Sequence, residues 1–354
     1  MARVTLQTIA DRLGVSRMTV SNAFSRPDQL SSELRRRVLA AAKELGYIGP
    51  DPAARALRRG TTGAVGVLLT DSLRYAFTDE VATDFLGAVV EELAPTGLAL
   101  TLLLSGDDAE VVPARDVPMD GALVYSCGFE SAGRDWLVRR KLPLVLVDQE
   151  PQPGIASVNV DDRGGARAAA EHLVDLGHRR IGIVTASHDG PPGLLPDTAA
   201  AQGHHTQRER MLGWLDPLHA AGIEPTVAQA LNNTDDQADF AAGLLLASDP
   251  RPTAVLCFSD VLALGVIRVA EGLGLAVPED LSVVGFDDSP VAQRSRPPLT
   301  TVRQDVAEKG RLASAALTAA IEQARTGTKA RVRHHVLPTE LIVRESTAPP
   351  PGRR

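Results

Sequence analysis

The chain has 354 residues, 44% of them hydrophobic, and a formal net charge of -7. That length allows two or three domains with buried cores, and the lack of any apolar window of membrane-spanning length excludes helical spans, so no membrane association and a cytoplasmic location are expected. Charge is unevenly placed: residues 1–60 hold eleven Lys and Arg against five Asp and Glu, or +6, which leaves the other 294 residues with 26 against 39, or -13. A basic amino-terminal module on an acidic body is the electrostatic footprint of nucleic-acid binding confined to one end.

In TLQTIADRLGVSRMTVSNAF, Thr5 to Phe24, residues Leu6, Ile9, Ala10 and Leu13 recur at helical spacing behind Thr5 as N-cap. Gly14 can take a positive φ and leave that helix, and Ser16 caps a second helix from Arg17. Two helices joined by a short glycine-containing turn read as a helix-turn-helix. With Val20, Ala23 and Phe24 facing inward, Arg17, Met18, Ser21, Asn22 and Ser25 point out. Arginine pairs with guanine, asparagine with adenine, and methionine can lie on a thymine methyl, so Arg17, Met18 and Asn22 are the expected base readers. Ser16, Thr19, Ser21 and Arg26 are expected to hold phosphates. The same pattern also suits a plain helical hairpin with a solvated polar face; the downstream sequence decides between them.

A third helix is predicted from about Ser32 to Leu45, with Leu34, Val38, Ala41, Ala42 and Leu45 inward and Gly46 as its stop. In the following YIGPDPAARALRRG, Asp51 and Pro52 open a helix of about eight residues, too short to be stable alone. Leu57, flanked by Arg55, Arg58 and Arg59, suits insertion into a minor groove with the arginines on the backbone; an ordinary linker is the other reading.

From Gly63 onward apolar runs (GAVGVLLT, LALTLLL, GALVYS, PLVLVD, RRIGIVT, TAVLCFS, SVVGF) alternate with helical patterns, which predicts parallel sheets covered on both faces. Polar residues follow the runs: Asp71, Ser126, Asp148, Ser259, Asp260 and Asp287. Each also reads as a helix N-cap, but together they predict an acceptor-rich cleft at the carboxyl ends of the strands, suited to sugars or nucleosides. Cys127 and Cys257 have no metal-ligand spacing and read as buried thiols. The Pro-, Gly- and His-rich segment Ala186 to Gln207 is expected as a mobile loop over the cleft mouth; its His188, His204 and His205 are not expected to hold a metal. Without a P-loop, a GxGxxG after a strand or a GxSxG, neither catalysis nor a cofactor is expected.

Residues 4–60, through TLQTIADRLGVSRMTVSNAF, LGYIGP and PAARAL, resemble the DNA-binding head and hinge helix of the lac repressor/gal repressor (LacI/GalR) family of bacterial transcription regulators. VNVDDRGGARAAAEHLVDLGHRRIGIV, RMLGW, PTAVLCFSDVLALGVIRVAEGLGLAVPEDLSVVGFDD and PPLTTVRQD resemble that family's periplasmic-binding-protein-like effector domain. The resemblance implies a small all-α helix-turn-helix head (1–48), a hinge (49–61) and an α/β body of two parallel-sheet lobes for effector binding and dimerisation (62–346). Lobe 1 would comprise about 62–158 and 290–322, with PPLTTV as the crossover, lobe 2 about 159–289 and 323–346, and 347–354 a disordered tail. It implies effector contacts at Asp148, Arg210, Asp260 and Asp287, with residues from Asp71 to Phe77 closing the site. The expected function is that of a homodimeric regulator, most simply a repressor, on pseudo-palindromic double-stranded DNA, controlled by a sugar or nucleoside. A tail without a leucine heptad argues for dimer over tetramer. A free-standing carbohydrate-binding protein and an α/β enzyme on the same body are the competing classes.

Overall fold

In the computed structural model, which describes residues 4–49, 56, 60–69, 76–104, 112–126, 131–187, 190–197, 203–328 and 332–352, the chain divides into two units, Met1–Gly63 and Ala64–Arg354. In the first, α1 (Leu6–Leu13) begins at Thr5, whose hydroxyl accepts from the Thr8 amide, and ends at Gly14 with φ 66°. Ser16 caps α2 (Arg17–Ser25) and Ser31 caps α3 (Ser32–Glu44) in the same way. Ile9, Ala10, Val20, Ala23, Val38, Ala41 and Ala42 make the small core, and the Phe24 ring meets Tyr47 edge-on at its border. Leu57, Arg55 and Arg58, expected at a minor groove, lie outside the described residues.

The body has two sheets. The first lobe takes β1 (Ala64–Leu69), α4 (Glu80–Leu93), β2 (Ala99–Leu104), α5 (Pro113–Asp116), β3 (Ala122–Tyr125), α6 (Ala132–Arg139), β4 (Leu144–Val147) and β5 (Ala156–Val160). The second takes α7 (Asp162–Asp175), β6 (Ile181–Ala186), β7 (Gly193–Leu194), α8 (His205–Ala220), β8 (Thr226–Ala230), α9 (Asp235–Leu246), β9 (Ala254–Cys257), α10 (Asp260–Gly272), β10 (Ser282–Asp287), α11 (Pro290–Arg294) and β11 (Thr300–Gln304). The chain then returns to the first lobe through α12 (Val306–Thr326) and β12 (His334–Leu337), and to the second through β13 (Thr339–Ile342). Strand order is β12-β5-β4-β3-β1-β2 in one sheet and β13-β11-β10-β9-β6-β8-β7 in the other. Pairing is parallel except where β13 meets β11 and β7 meets β8. Parallel strands covered on both faces must be apolar throughout, and the runs LVLV and AVLC are buried at every position. Helix α12 lies against α4 at Gly310, where a Cβ would come within 2.9 Å of the Phe85 carbonyl.

Three expectations are corrected. Thr300–Gln304 pairs with β10 in the second sheet, and His334–Leu337 with β5 in the first, the reverse of the lobes assigned from the resemblance. PPLTTV is therefore not the crossover, which comes after it at Asp305. Passage between lobes occurs at Asp161, Asp305 and Pro338, and the outer two are tied where the Asp161 amide donates to the Leu337 carbonyl (2.8 Å) and the Thr339 hydroxyl to the Asp161 carbonyl (2.9 Å). The tail is ordered beyond residue 346: Ser346 is fully buried, and Ala348 exchanges two hydrogen bonds of 3.0 Å with the hydroxyl of Ser282 at the start of β10.

Candidate functional site

Within the amino-terminal unit, Ser16, Arg17, Met18 and Arg26 are exposed, Met18 by 66%. Asn22 is half-buried, and its amide donates to the Gln29 Oε1 at 3.1 Å. The Ser16 and Thr19 hydroxyls lie 2.8 Å apart at the start of α2. Ser21 is different: it is only 6% exposed, so the expected phosphate contact is corrected. At about 100° per residue it lies roughly 60° from Phe24 around the helix, on the flank of the apolar stripe, where a small side chain is covered by its neighbours.

In the body, a cavity of about 140 Å³ lies between the lobes. Ser126, Asp148, Arg210 and Asp287 line it, four of the seven expected effector contacts. Three of them follow or end strands in the left-handed region, Ser126 at φ 50°, Asp148 at 54° and Asp287 at 114°. Non-glycine residues seldom adopt such angles, and their clustering at one cavity wall is the kind of backbone strain found at binding sites.

A chain of polar contacts crosses from one lobe to the other. Arg210 is 4% exposed; its Nε donates to Asp162 Oδ1 at 2.8 Å and its Nη1 to the Phe258 carbonyl, with Asp287 Oδ1 at 3.6 Å. Its guanidinium also lies over the Phe286 ring, 3.5 Å from the centroid. Asp287 accepts from the Gln304 amide at 2.7 Å, and Gln304 Oε1 accepts from Lys309 Nζ at 2.9 Å. Lys309, itself 1% exposed, donates to Asp148 Oδ2 at 2.7 Å. Burial pushes the carboxyls of Asp287 and Asp162 above the ordinary carboxylate range, with the Arg210 charge opposing it in both. Asp148 Oδ1 and Thr206 Oγ1 are buried on the cavity wall with no hydrogen-bond partner among the described residues, which marks them as places for ligand groups.

A second bridge joins the lobes at the cavity rim. The Asn233 amide donates to Asp79 Oδ2 at 3.0 Å, while Asn233 Oδ1 accepts from the Ser259 hydroxyl. Asp79 also caps α4 through the Ala82 amide (2.8 Å), and Ser259 caps α10 through Leu262 (3.1 Å).

Asp260 does not line the cavity. Its Oδ2 accepts from the Ser289 amide (2.8 Å) and hydroxyl (3.1 Å), and its Oδ1 from the Thr301 hydroxyl (2.5 Å). Its expected role as an effector contact is corrected to that of a strut inside the second lobe. Burial raises its pKa to about 7, against the hydrogen bonds from Thr301 and Ser289. Phe77 is exposed by 66% and is not on the wall, and Asp71 and Cys127 lie outside the described residues. From the segment 186–207, Ala186, Ser187, His204, Thr206 and Gln207 reach the cavity.

The sequence reading missed Asp79, Asp162, Asn233, Gln304 and Lys309. For Lys309 a signal existed: it shares the buried stripe of α12 with Ala313 and Leu317, where a lysine needs a buried partner. For Asn233, in a loop of polar residues, none did.

Residues 5–49 match the family of bacterial regulatory proteins called lacI, and residues 147–347 match the periplasmic binding protein-like domain. Over 327 residues the chain is 40% identical to an HTH-type transcriptional regulator of Mycolicibacterium smegmatis, spanning 88% of this chain and 89% of that one. The solved structure of a complex of the transcriptional regulator CelR with cellobiose is 30% identical, with a TM-score of 0.68 over 97% of this chain and 100% of that one. The crystal structure of the lac repressor dimer bound to operator and the anti-inducer ONPF is 25% identical, with a TM-score of 0.77 over 98% and 100%. The helix-turn-helix unit, the two-lobed body and relatives of this identity over most of the chain give one conclusion: the protein belongs to the lacI family of bacterial transcriptional regulators.

Proposed function

We propose that this regulator is a homodimeric cytoplasmic repressor that binds a pseudo-palindromic operator and is switched by a sugar or nucleoside held between its lobes, without catalysis. The single observation that carries the effector half is the polar chain from Asp162 to Asp148, which runs through both lobes past the cavity, so that anything touching its walls acts on both. Ser126, Asp148, Arg210 and Asp287 are its proposed contacts, with Asp71 and Phe77 closing over them when the ligand is bound. The lac repressor dimer, solved with operator and ONPF, and CelR, solved with cellobiose, support a dimer and a sugar.

Arg17, Met18 and Asn22 are the proposed base readers, Ser16, Thr19 and Arg26 the phosphate contacts, and Leu57, Arg55 and Arg58 the minor-groove element. An effector whose affinity for two body conformations differs by roughly 2–3 kcal/mol would change operator occupancy some tens of times. Selection of operator sequences from a random pool, followed by anisotropy titrations, tests the reading. Replacing Arg17 or Asn22 by Ala is expected to relax preference at one base pair each by about 1–3 kcal/mol. A uniform loss over all sequences would reduce them to phosphate contacts, and no enrichment of any sequence would remove the operator reading.

A further inference from the structure

We infer that the cavity selects a single-ring polyol without an anionic group, and rejects the phosphate esters and uronic acids of the same sugars; this depends on the cleft being the effector site. The wall carries three carboxylates, Asp79, Asp148 and Asp287, against two cations, Lys309 and Arg210. Both cations are already engaged, Lys309 between Asp148 and Gln304, Arg210 between Asp162 and Asp287. Drawing either one onto an anionic ligand would leave a buried carboxylate without its partner, an arrangement strongly disfavoured away from water.

The other anion sites a fold of this kind can offer are helix amino termini, and two of those at the cavity carry side-chain caps. Asp79 takes the Ala82 amide of α4 and Ser259 the Leu262 amide of α10, while α9, which follows Asn232 and Asn233 of the wall, carries Asp235 and Asp236 in its first turn, where their charge repels an anion. The cavity offers acceptors instead. Asp148, 7% exposed, has Oδ1 buried and unpartnered on the wall, and the Thr206 hydroxyl is in the same state. An unpartnered carboxylate oxygen calls for a hydroxyl donor, and the Tyr125 and Phe258 rings on the same wall suit the C–H face of a sugar.

Size limits the ring count. The cavity holds about 140 Å³, and one of ~150 Å³ accommodates a single benzene ring, whereas larger ligands occupy pockets of roughly 300 Å³ and above. The cavity is thus matched in size to one six-membered ring.

The test uses full-length protein, thermal shift and operator anisotropy, with glucose, galactose, mannose, ribose and xylose, the uronic acids and monophosphates of these sugars, and cellobiose and maltose. At least one free monosaccharide is expected to raise the melting temperature, with its phosphate, acid and disaccharide binding at least about 100-fold more weakly. Asp148→Asn is expected to narrow the gap between free sugar and phosphate, and Asp79→Asn to narrow it in the same direction should the first variant fold poorly. A purely structural role for these carboxylates would leave that ratio unchanged. A phosphate, acid or disaccharide that binds as well as the free sugar, no free monosaccharide that binds, or an unchanged ratio in a folded variant overturns the inference. The operator readout separates the two readings: a monosaccharide that binds without changing operator affinity removes the regulatory role and leaves the selectivity standing, whereas a phosphate that binds and changes operator affinity does the reverse.

Discussion

Lys309 shows what a single side chain does in this site. It is almost fully buried on α12, and its ammonium is shared between Asp148 Oδ2 and Gln304 Oε1. A lone buried ammonium is unfavourable, so the side chain is held there by its partners and not by its helix. Replacing it with methionine keeps the length and removes the charge, which leaves the Asp148 carboxylate buried and unbalanced. Lys309→Met is expected to destabilise the body by about 3–5 kcal/mol, and Lys309→Met with Asp148→Leu to recover much of that loss. Chemical denaturation followed through the body transition measures both; a single variant as stable as the parent would show that Asp148 is solvated and that the contact contributes little. At this scale the sequence was half legible. Asp148 and Asp287 stood out because each ends an apolar run, but Lys309 lay within a helical pattern, and Asp260 read alike as cap neighbour and ligand contact until Ser289 and Thr301 were seen to take up its carboxylate.

At the scale of elements, the strands legible beforehand were those with continuous apolar runs, because a strand covered on both faces has no other solution. TVAQA, HHVL and TELI have mixed patterns, and their place as β8, β12 and β13 follows from which neighbours accept their edges. The same limit explains the exchanged lobes: TTVRQ pairs equally well with any parallel edge, and only the β10 register with Val284 opposite Thr300 assigns it. One side chain that couples the two lobes at the rim is Asn233, whose amide donates to Asp79 beside α4 and whose Oδ1 accepts from Ser259 beside α10. Asn233→Ala removes this bridge without touching either helix cap. Since a hydrogen bond of this kind contributes about 1 kcal/mol, its loss is expected to shift the balance of bridged and open lobes about fivefold toward the open form and to lower effector affinity by up to that factor. Calorimetric titration measures the affinity, and an unchanged value would mean that the lobes close without this contact.

For the whole molecule, ionisable groups buried in the body give pH a direct hold on stability. Asp260 is nearly free of solvent and titrates at about 7 in the fold, well above an unfolded aspartate. A carboxyl whose folded pKa is raised contributes stability that is complete below its unfolded pKa and is lost as pH rises through the folded one. Asp162 and Asp287, raised by burial too, act with the same sign. His172 and His178 act oppositely: desolvation lowers both, so their contribution is present above about 6.5, the unfolded value, and lost as pH falls through their folded values. Between pH 8 and 6.5 the histidines are neutral in most folded and many unfolded molecules, and the aspartates dominate. The body is therefore expected to gain roughly 1 kcal/mol on acidification from pH 8 to 6.5, and then to level off as the histidines begin to oppose it. Asp260→Asn should remove most of that slope, because the amide cannot ionise; its one oxygen can accept at the Thr301 side or at the Ser289 side but not at both, so a loss of stability independent of pH is expected beside the lost slope. Thermal unfolding of parent and variant in matched buffers across this interval measures it. A parent that loses stability on acidification over the same range would show that Asp260 is ionised in the fold, and that the Ser289 and Thr301 contacts outweigh its burial.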